Sequence, residues 1–199
     1  MKIRKHPIIY HSSYNIPLPE RHRFSGTKYS LLLQYLEDIG LTQNFLKYTP
    51  KPCTAENLSI AHKASYIEEI QAGILSRENQ TRLGLPWSEI LRQRSFIAPN
   101  GTLLAAQLAL QTGIACHAAG GTHHAHWDFG AGFCVFNDLA YTARALIKMR
   151  LARRVLILDC DVHQGDGTAN ILSNDSNILT CSIHCAENYP VKKAVSDLD

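Results

Sequence analysis

Two spacings of apolar residues alternate along this chain. Continuous runs at Ile8-Ile9-Tyr10, at residues 114–119, at Val155-Leu156-Ile157-Leu158 and at residues 178–184 read as short strands. Between them apolar positions recur at helical intervals. Residues 29–36 predict a helix that ends near Gly40, and Thr54 caps a segment carrying Ala55, Leu58 and Ala61. Residues 65–72 predict a further helix. Residues 102–112 predict another, with Leu104 and Leu108 on one face and Gly113 as its stop. Asn137 is an N-cap for a helix with Leu139, Ala143, Leu146 and Ile147 inward and Arg144 and Lys148 outward, and a short helix follows Gly167. The Pro-broken stretch 12–24 and the polar stretch 76–88 are expected to be loops. Strands alternating with helices of this length indicate an α/β domain with a parallel sheet, residues 1–199 forming one unit. The run Val155 to Leu158 carries no polar residue, so a strand buried on both faces is expected.

Composition narrows the function classes. Hydrophobic residues make up 45% and charged residues 19% of the 199 positions, the balance of a globular domain. A formal charge of +3 with dispersed basic residues argues against nucleic-acid binding. No apolar window approaches the roughly 18 residues that span a bilayer. The basic residues 1–6 are followed by no apolar segment, so no secretory signal is expected. The six cysteines (Cys53, Cys116, Cys134, Cys160, Cys181, Cys185) have irregular spacing, which suits buried reduced thiols in a cytoplasmic protein. Cys181 and Cys185 could form half a zinc knuckle, but no second pair accompanies them.

Candidate chemistry gathers at one strand end. Asp159, Asp161 and His163 follow the run at 155–158 on alternate residues, and a Gly165-Asp166-Gly167 turn comes next. In open α/β sheets ligands bind beyond the carboxyl ends of strands, and carboxylate with imidazole suits a catalytic zinc. His123-His124 follows Gly120-Gly121, whose freedom supplies the bend that lets both rings face one cleft. Asp159 and Asp166 are suited to accept ring N–H bonds from these histidines, fixing tautomer and basicity. Gly130-Ala131-Gly132 is not a dinucleotide fingerprint, because Val135 occupies the third glycine position. No Gly-x-Ser-x-Gly turn supports a serine nucleophile. Cys134 or Cys160 beside the histidines could be a cysteine nucleophile, although flanking aspartates suppress the Cys160 thiolate. His117 reads as a satisfied core histidine, His126 and Asp128 as rim residues, and Ser182 and His184 as structural.

Three motifs in order, Gly120-Gly121-Thr122-His123-His124, Gly132-Phe133-Cys134-Val135-Phe136-Asn137-Asp138 and Asp159-Cys160-Asp161-Val162-His163-Gln164-Gly165-Asp166-Gly167, resemble the histone deacetylase family. The stretch Pro17-Leu18-Pro19-Glu20-Arg21-His22-Arg23-Phe24 is similar to its class IV and bacterial deacetylase-like branch. The resemblance implies a three-layer α/β/α arginase/deacetylase fold with a mainly parallel sheet, of which this span holds the N-terminal two-thirds. It implies one zinc held by Asp161 and His163, with His124 and Asp166 as general base and partner. His123 with Asp159 assists as proton donor or electrostatic stabiliser. Gly132, Phe133 and Tyr189 line the substrate tunnel, and a structural potassium is held by Asp159, Asp161 and Ser182. The implied substrate is an acylated lysine peptide or acylated small amine. In the family a third zinc ligand and a transition-state tyrosine come from later segments. A weak or inactive span with an unpaired sheet edge is therefore expected. The alternatives are a non-catalytic acyl-lysine or partner-binding module and an arginase-like ureohydrolase with two manganese ions.

Overall fold

The computed structural model describes residues 5–199, so most of the basic N-terminal run lies outside the described residues. In chain order the elements are β1 (His6–Ile9), α1 (Lys28–Asp38), β2 (Phe45–Tyr48), α2 (Ala55–Leu58), α3 (Ala64–Ala72), α4 (Arg77–Leu83), α5 (Glu89–Thr112), β3 (Cys116–His117), α6 (Asp138–Lys148), β4 (Val155–Asp159), α7 (Asp166–Leu172) and β5 (Ile178–Ser182). They fall into two compact units. One runs up to Thr54 and adds Pro86–Gly120, and the other comprises Ala55–Leu85 and Gly121–Asp199. Strand pairing is parallel in both, as expected, but divided into a ladder β2-β1-β3 and a separate pair β4-β5.

In the first unit α5 packs on β1. Helical spacing predicted only residues 102–112, begun after Asn100-Gly101, and Pro99 lies just upstream of them. The observed helix has 24 residues and runs straight through Pro99, Asn100 and Gly101. Ser88 Oγ accepts from Leu91 N at 3.1 Å and starts it early. Burial of Leu91, Ile97, Ala98, Pro99 and Ala105 along one helix offsets the ~3 kcal/mol that an interior proline costs. Tyr14, Tyr29, Ile97, Ala98 and Ala119 form a core here. His117 is the satisfied histidine expected, bonded to Tyr14 Oη at 2.7 Å and Thr102 Oγ1 at 2.8 Å.

In the second unit the stretch 76–88 is not all loop. Ser76 Oγ accepts from Asn79 N at 3.1 Å, Arg82 pairs with Glu78 at 2.7 Å, and Leu83 is buried, which together make α4. Asn137 caps α6 as expected, its side chain accepting from Ala140 N at 2.9 Å. Arg144 is not turned outward. It holds Asp175 at 2.7 Å and the carbonyls of Ile60 and Ile171 at 2.8 and 2.7 Å, so α6 is packed nearly all round.

Strand β4 departs most from expectation. Helices α6 and α7 cover the face that carries Ile157, Thr180 and Ser182. On the opposite face Leu156, Leu158 and Leu179 are 60%, 58% and 42% exposed. Apolar alternation reports what a strand is suited to meet, and no described element of this unit covers that face. The β5 edge is partly closed rather than bare. Ser182 N donates to Leu198 O at 2.9 Å, Leu198 N to Thr180 O at 3.0 Å, and Thr180 N to Asp197 Oδ2 at 2.8 Å. No helix among the described residues is long and apolar enough to cross a membrane. None of the six cysteines is in a disulfide. Only Cys53 and Cys134 are buried, so the expectation of buried thiols holds for those two while Cys116, Cys160 and Cys185 are exposed.

Candidate active site

Every residue of the candidate site belongs to the second unit. The loop after Gly121 (φ +90°) is pinned by Asp138 at the first turn of α6. The Asp138 carboxylate accepts from Gly121 N at 3.0 Å, Thr122 N at 2.7 Å and Thr122 Oγ1 at 2.6 Å. With the loop so bent, His123 and His124 turn to one side, their ring centroids 4.1 Å apart. Both rings are buried, at 6% and 4% exposure. Each has its own carboxylate: His123 Nδ1 lies 2.6 Å from Asp159 Oδ2, and His124 Nδ1 lies 2.7 Å from Asp166 Oδ1. Asp159 stands at the end of β4 and Asp166 opens α7, so strand and helix ends place the two acceptors.

The glycines of these motifs are steric requirements at two positions. Gly132 has φ +53°, and a Cβ there would stand 2.5 Å from His124 Cδ2. A Cβ on Gly167 would strike Ala125 O, so the histidine loop can lie on the start of α7 only because that residue is glycine. Phe133 is held beside the site by its N–H to Leu83 O at 2.9 Å. Tyr189 covers the imidazoles edge-on, 4.9 Å from His124 and 6.0 Å from His163 between centroids.

Electrostatics sharpen the two pairs. Burial pushes the Asp166 carboxyl up, yet hydrogen bonds from His124 and His126 outweigh it and hold the group well below the usual carboxylate range. Burial likewise opposes ionisation of Asp159, and the bonds from His123 and the Asp161 amide bring it down. Desolvation lowers His123, but the Asp159 bond and the nearby charges of Asp161 and Asp166 raise it overall. Burial raises the Tyr189 phenol, with the Asp166 charge adding to it. Each histidine is therefore fixed with Nδ1–H on its carboxylate, leaving Nε2 to handle a proton. No described residue hydrogen-bonds His124 Nε2.

The histone deacetylase domain pattern matches residues 22–199. The chain belongs to the histone deacetylase family. It is 46% identical over 193 residues to an uncharacterized protein of Picosynechococcus sp., covering 97% of this chain and 64% of that one. It is 32% identical over 175 residues to the acetoin utilization protein AcuC of Staphylococcus aureus (strain Mu50), covering 83% and 45%. Histone deacetylase 2 of Arabidopsis thaliana is 28% identical over 198 residues, covering 94% and 51%. These relatives support the bacterial deacetylase-like branch. The crystal structure of the HDA15 HD domain superposes with a TM-score of 0.76 at 19% identity, covering 96% of this chain and 56% of that one, which shows the fold. The chain thus spans about half to two thirds of the length of the relatives it matches.

In this member of the histone deacetylase family the expected metal ligands differ from the imidazole pairs. Asp161 and His163 do meet, through His163 N and Nδ1 to Asp161 Oδ1 at 2.8 and 3.0 Å. Their side chains are 50% and 38% exposed. A carboxylate and an imidazole are zinc donors, but no group of three or more His, Cys, Asp or Glu suited to a metal stands among the described residues. A catalytic zinc takes three protein ligands. These residues supply two donors and by themselves do not make the site. Of the potassium set, Asp159 and Ser182 are register partners across β4 and β5, and Ser182 Oγ lies 2.9 Å from His184 Nδ1.

Two histidines escaped the sequence. His62, after α2, is wholly buried. Its Nδ1 bonds His126 O at 2.9 Å and its Nε2 accepts from Asn137 N at 2.8 Å. Burial lowers its pKa to about 4, so it is a neutral bridge. Asn137 passes the link on, donating to Ala125 O at 3.1 Å and Thr168 Oγ1 at 3.0 Å. His126, expected at the rim, instead reaches the second oxygen of Asp166, with Nε2 3.1 Å from Oδ2. Asp128 is exposed, as a rim residue should be. Only the capping signal at Asn137-Asp138 could have exposed this support. A lone histidine 60 residues upstream carries no such signal.

Proposed function

We propose that this chain carries the proton-handling half of a deacylase that hydrolyses the amide of an acylated lysine or a related acylated amine. The observation that carries the reading is the pair of buried His–Asp contacts at 2.6 and 2.7 Å, set side by side with both Nδ1 atoms committed. His124 then takes the proton of the attacking water at Nε2, and Asp166 stabilises the imidazolium that forms. His123, with Asp159, supplies a proton or positive charge toward the departing amine. Tyr189, Gly132 and Phe133 border the acyl chain. Asp161 and His163 serve as two zinc donors in this reading, joined by a third donor that the described residues do not supply. Asp159, Asp161 and Ser182 remain the proposed potassium ligands. The six unbridged cysteines suit a reducing cytoplasmic setting.

A second reading is favoured by the half-exposed, two-member Asp161–His163 pair: a non-catalytic module that holds acyl-lysine. Assay of the chain on an acetyl-lysine peptide with zinc supplied separates the two. Hydrolysis that chelator abolishes, and that His124→Ala lowers roughly 10²–10⁴-fold, supports the deacylase. Peptide binding without hydrolysis supports the module. Hydrolysis indifferent to His124→Ala overturns the assigned proton transfer.

A further inference from the structure

Asp166 has two carboxylate oxygens, and each faces a different imidazole. Oδ1 lies 2.7 Å from His124 Nδ1, and Oδ2 lies 3.1 Å from His126 Nε2. The Asp166 side chain is only 10% exposed, so water is a poor substitute for either donor. Nor is His126 a casual neighbour. Its N–H donates to Phe129 O at 2.9 Å, and its carbonyl accepts from His62 Nδ1 at 2.9 Å. Its ring stacks on Phe129 at 4.4 Å and 18°, and Phe129 in turn lies under the Arg82 guanidinium at 4.2 Å. Backbone, ring face and ring edge are all specified, and the edge points at the carboxylate that orients His124.

From this we infer that His126 is a positioning residue: its Nε2–H occupies the second oxygen of Asp166 and fixes the carboxylate plane. The plane in turn holds His124 in the Nδ1–H tautomer with Nε2 outward. An ionised carboxylate accepts only, so the arrangement requires both histidines to present N–H toward it. With Oδ2 deserted, Asp166 can turn, and the bond that selects the His124 tautomer loses its geometry. The titratable side chains facing Asp166 are His123, His124, His126 and Tyr189. The role matters for proton transfer only if the deacylase reading holds, on which this inference rests for its function but not for its geometry.

Long-range ¹⁵N–¹H NMR of the imidazoles in the metal-free chain tests the geometry directly. The wild-type protein is expected to show His126 as Nε2–H and His124 as Nδ1–H. His126→Phe keeps the ring stack but removes the donor, and should raise the minor Nε2–H form of His124 roughly tenfold, the weight of one charge-assisted hydrogen bond. His126→Gln, whose amide can reach Oδ2, should restore the wild-type pattern. Finding His126 as Nδ1–H in the wild type, or an unaltered His124 in a folded His126→Phe protein, overturns the inference. Where the chain hydrolyses acetyl-lysine, kcat should fall about tenfold in His126→Phe with KM unchanged and recover in His126→Gln. Expected tautomers in a chain whose zinc-supplemented hydrolysis is indifferent to His124→Ala would discard the assigned proton transfer while leaving the positioning role intact.

Discussion

Asp159 and Asp166, the carboxylates of the imidazole pairs, flank Asp161 and His163 within a few residues, yet the two sets have opposite surroundings. His123 and His124 are buried, and each is bonded to a carboxylate that is itself largely covered. Asp138, Asn137, Thr168 and His62 fix the backbone behind them. Asp161 and His163 are half exposed and hydrogen-bond each other, while Asp161 stands 3.9 Å from His123 Nε2 and the His163 ring 5.7 Å from His124. Under the proposed reading, the site would be rigid where protons are steered and open where an ion is held. Groups that steer protons must be held before the reaction, since tautomer and direction are their whole contribution. Ligands acquire their geometry from the ion and from all the other ligands together, so two donors alone have little to hold them.

The largest effect that would test this contrast is on stability. Asp166→Asn replaces an acceptor of two N–H groups with a side chain that must turn an NH₂ toward one of them. It should cost about 2–4 kcal/mol in urea unfolding. Asp161→Asn, at an exposed position, should cost less than about 0.5 kcal/mol. Equal losses at the two positions would contradict the division into a rigid and an open half.

Acid provides the next measure. The folded-state pKa of His62, about 4, lies below the ordinary 6.5, so between these values the unfolded chain binds the extra proton. Stability is therefore fully present above pH 6.5 and falls as pH drops toward 4. The expected loss between pH 7 and pH 5 is about 2 kcal/mol. Replacing His62 with Gln should flatten that interval. A His62→Gln protein with the wild-type slope would mean that another group governs it. Asp166 and Asp159, whose carboxyls are depressed, withdraw their stabilisation only at lower pH, below the ordinary carboxylate range.

The smallest effect is expected on the uncovered face of β4, the strand on which Asp159 is mounted, and is read against the covered face. Ile157→Ala, on the face packed against the helices, should cost about 2–4 kcal/mol. Leu158→Ser, on the uncovered face, should stay within about 0.5 kcal/mol. A comparable loss from both would show that the second face is covered in solution, for which dependence on protein concentration is the accompanying check.

Much of this was legible in the residues. The strand runs and the α6 cap at Asn137 rest on local rules, and the pairing of His123 with Asp159 and His124 with Asp166 rests on the family resemblance. Spacing, capping and the position of strand ends act within a few residues, and the motif order then ties them together. Legibility failed where distant packing overrode local preference. Pro99 stayed inside α5 because its helix is buried, and Ser76 opened a helix within a polar stretch. Leu156 and Leu158 looked buried because they are apolar, yet their cover depends on what lies opposite.

Residue order by itself determined the parallel α/β class and the family, because each follows from patterns carried on short segments, and the two His–Asp pairings came only through that family resemblance. Only the tertiary structure decided that His62 bridges to Asn137, that Asp138 pins the bend and that His126 turns inward to share Asp166. Those contacts join residues 16 to 75 positions apart. No periodicity spans such distances, and burial alone makes one hydrogen bond among many the one that must form.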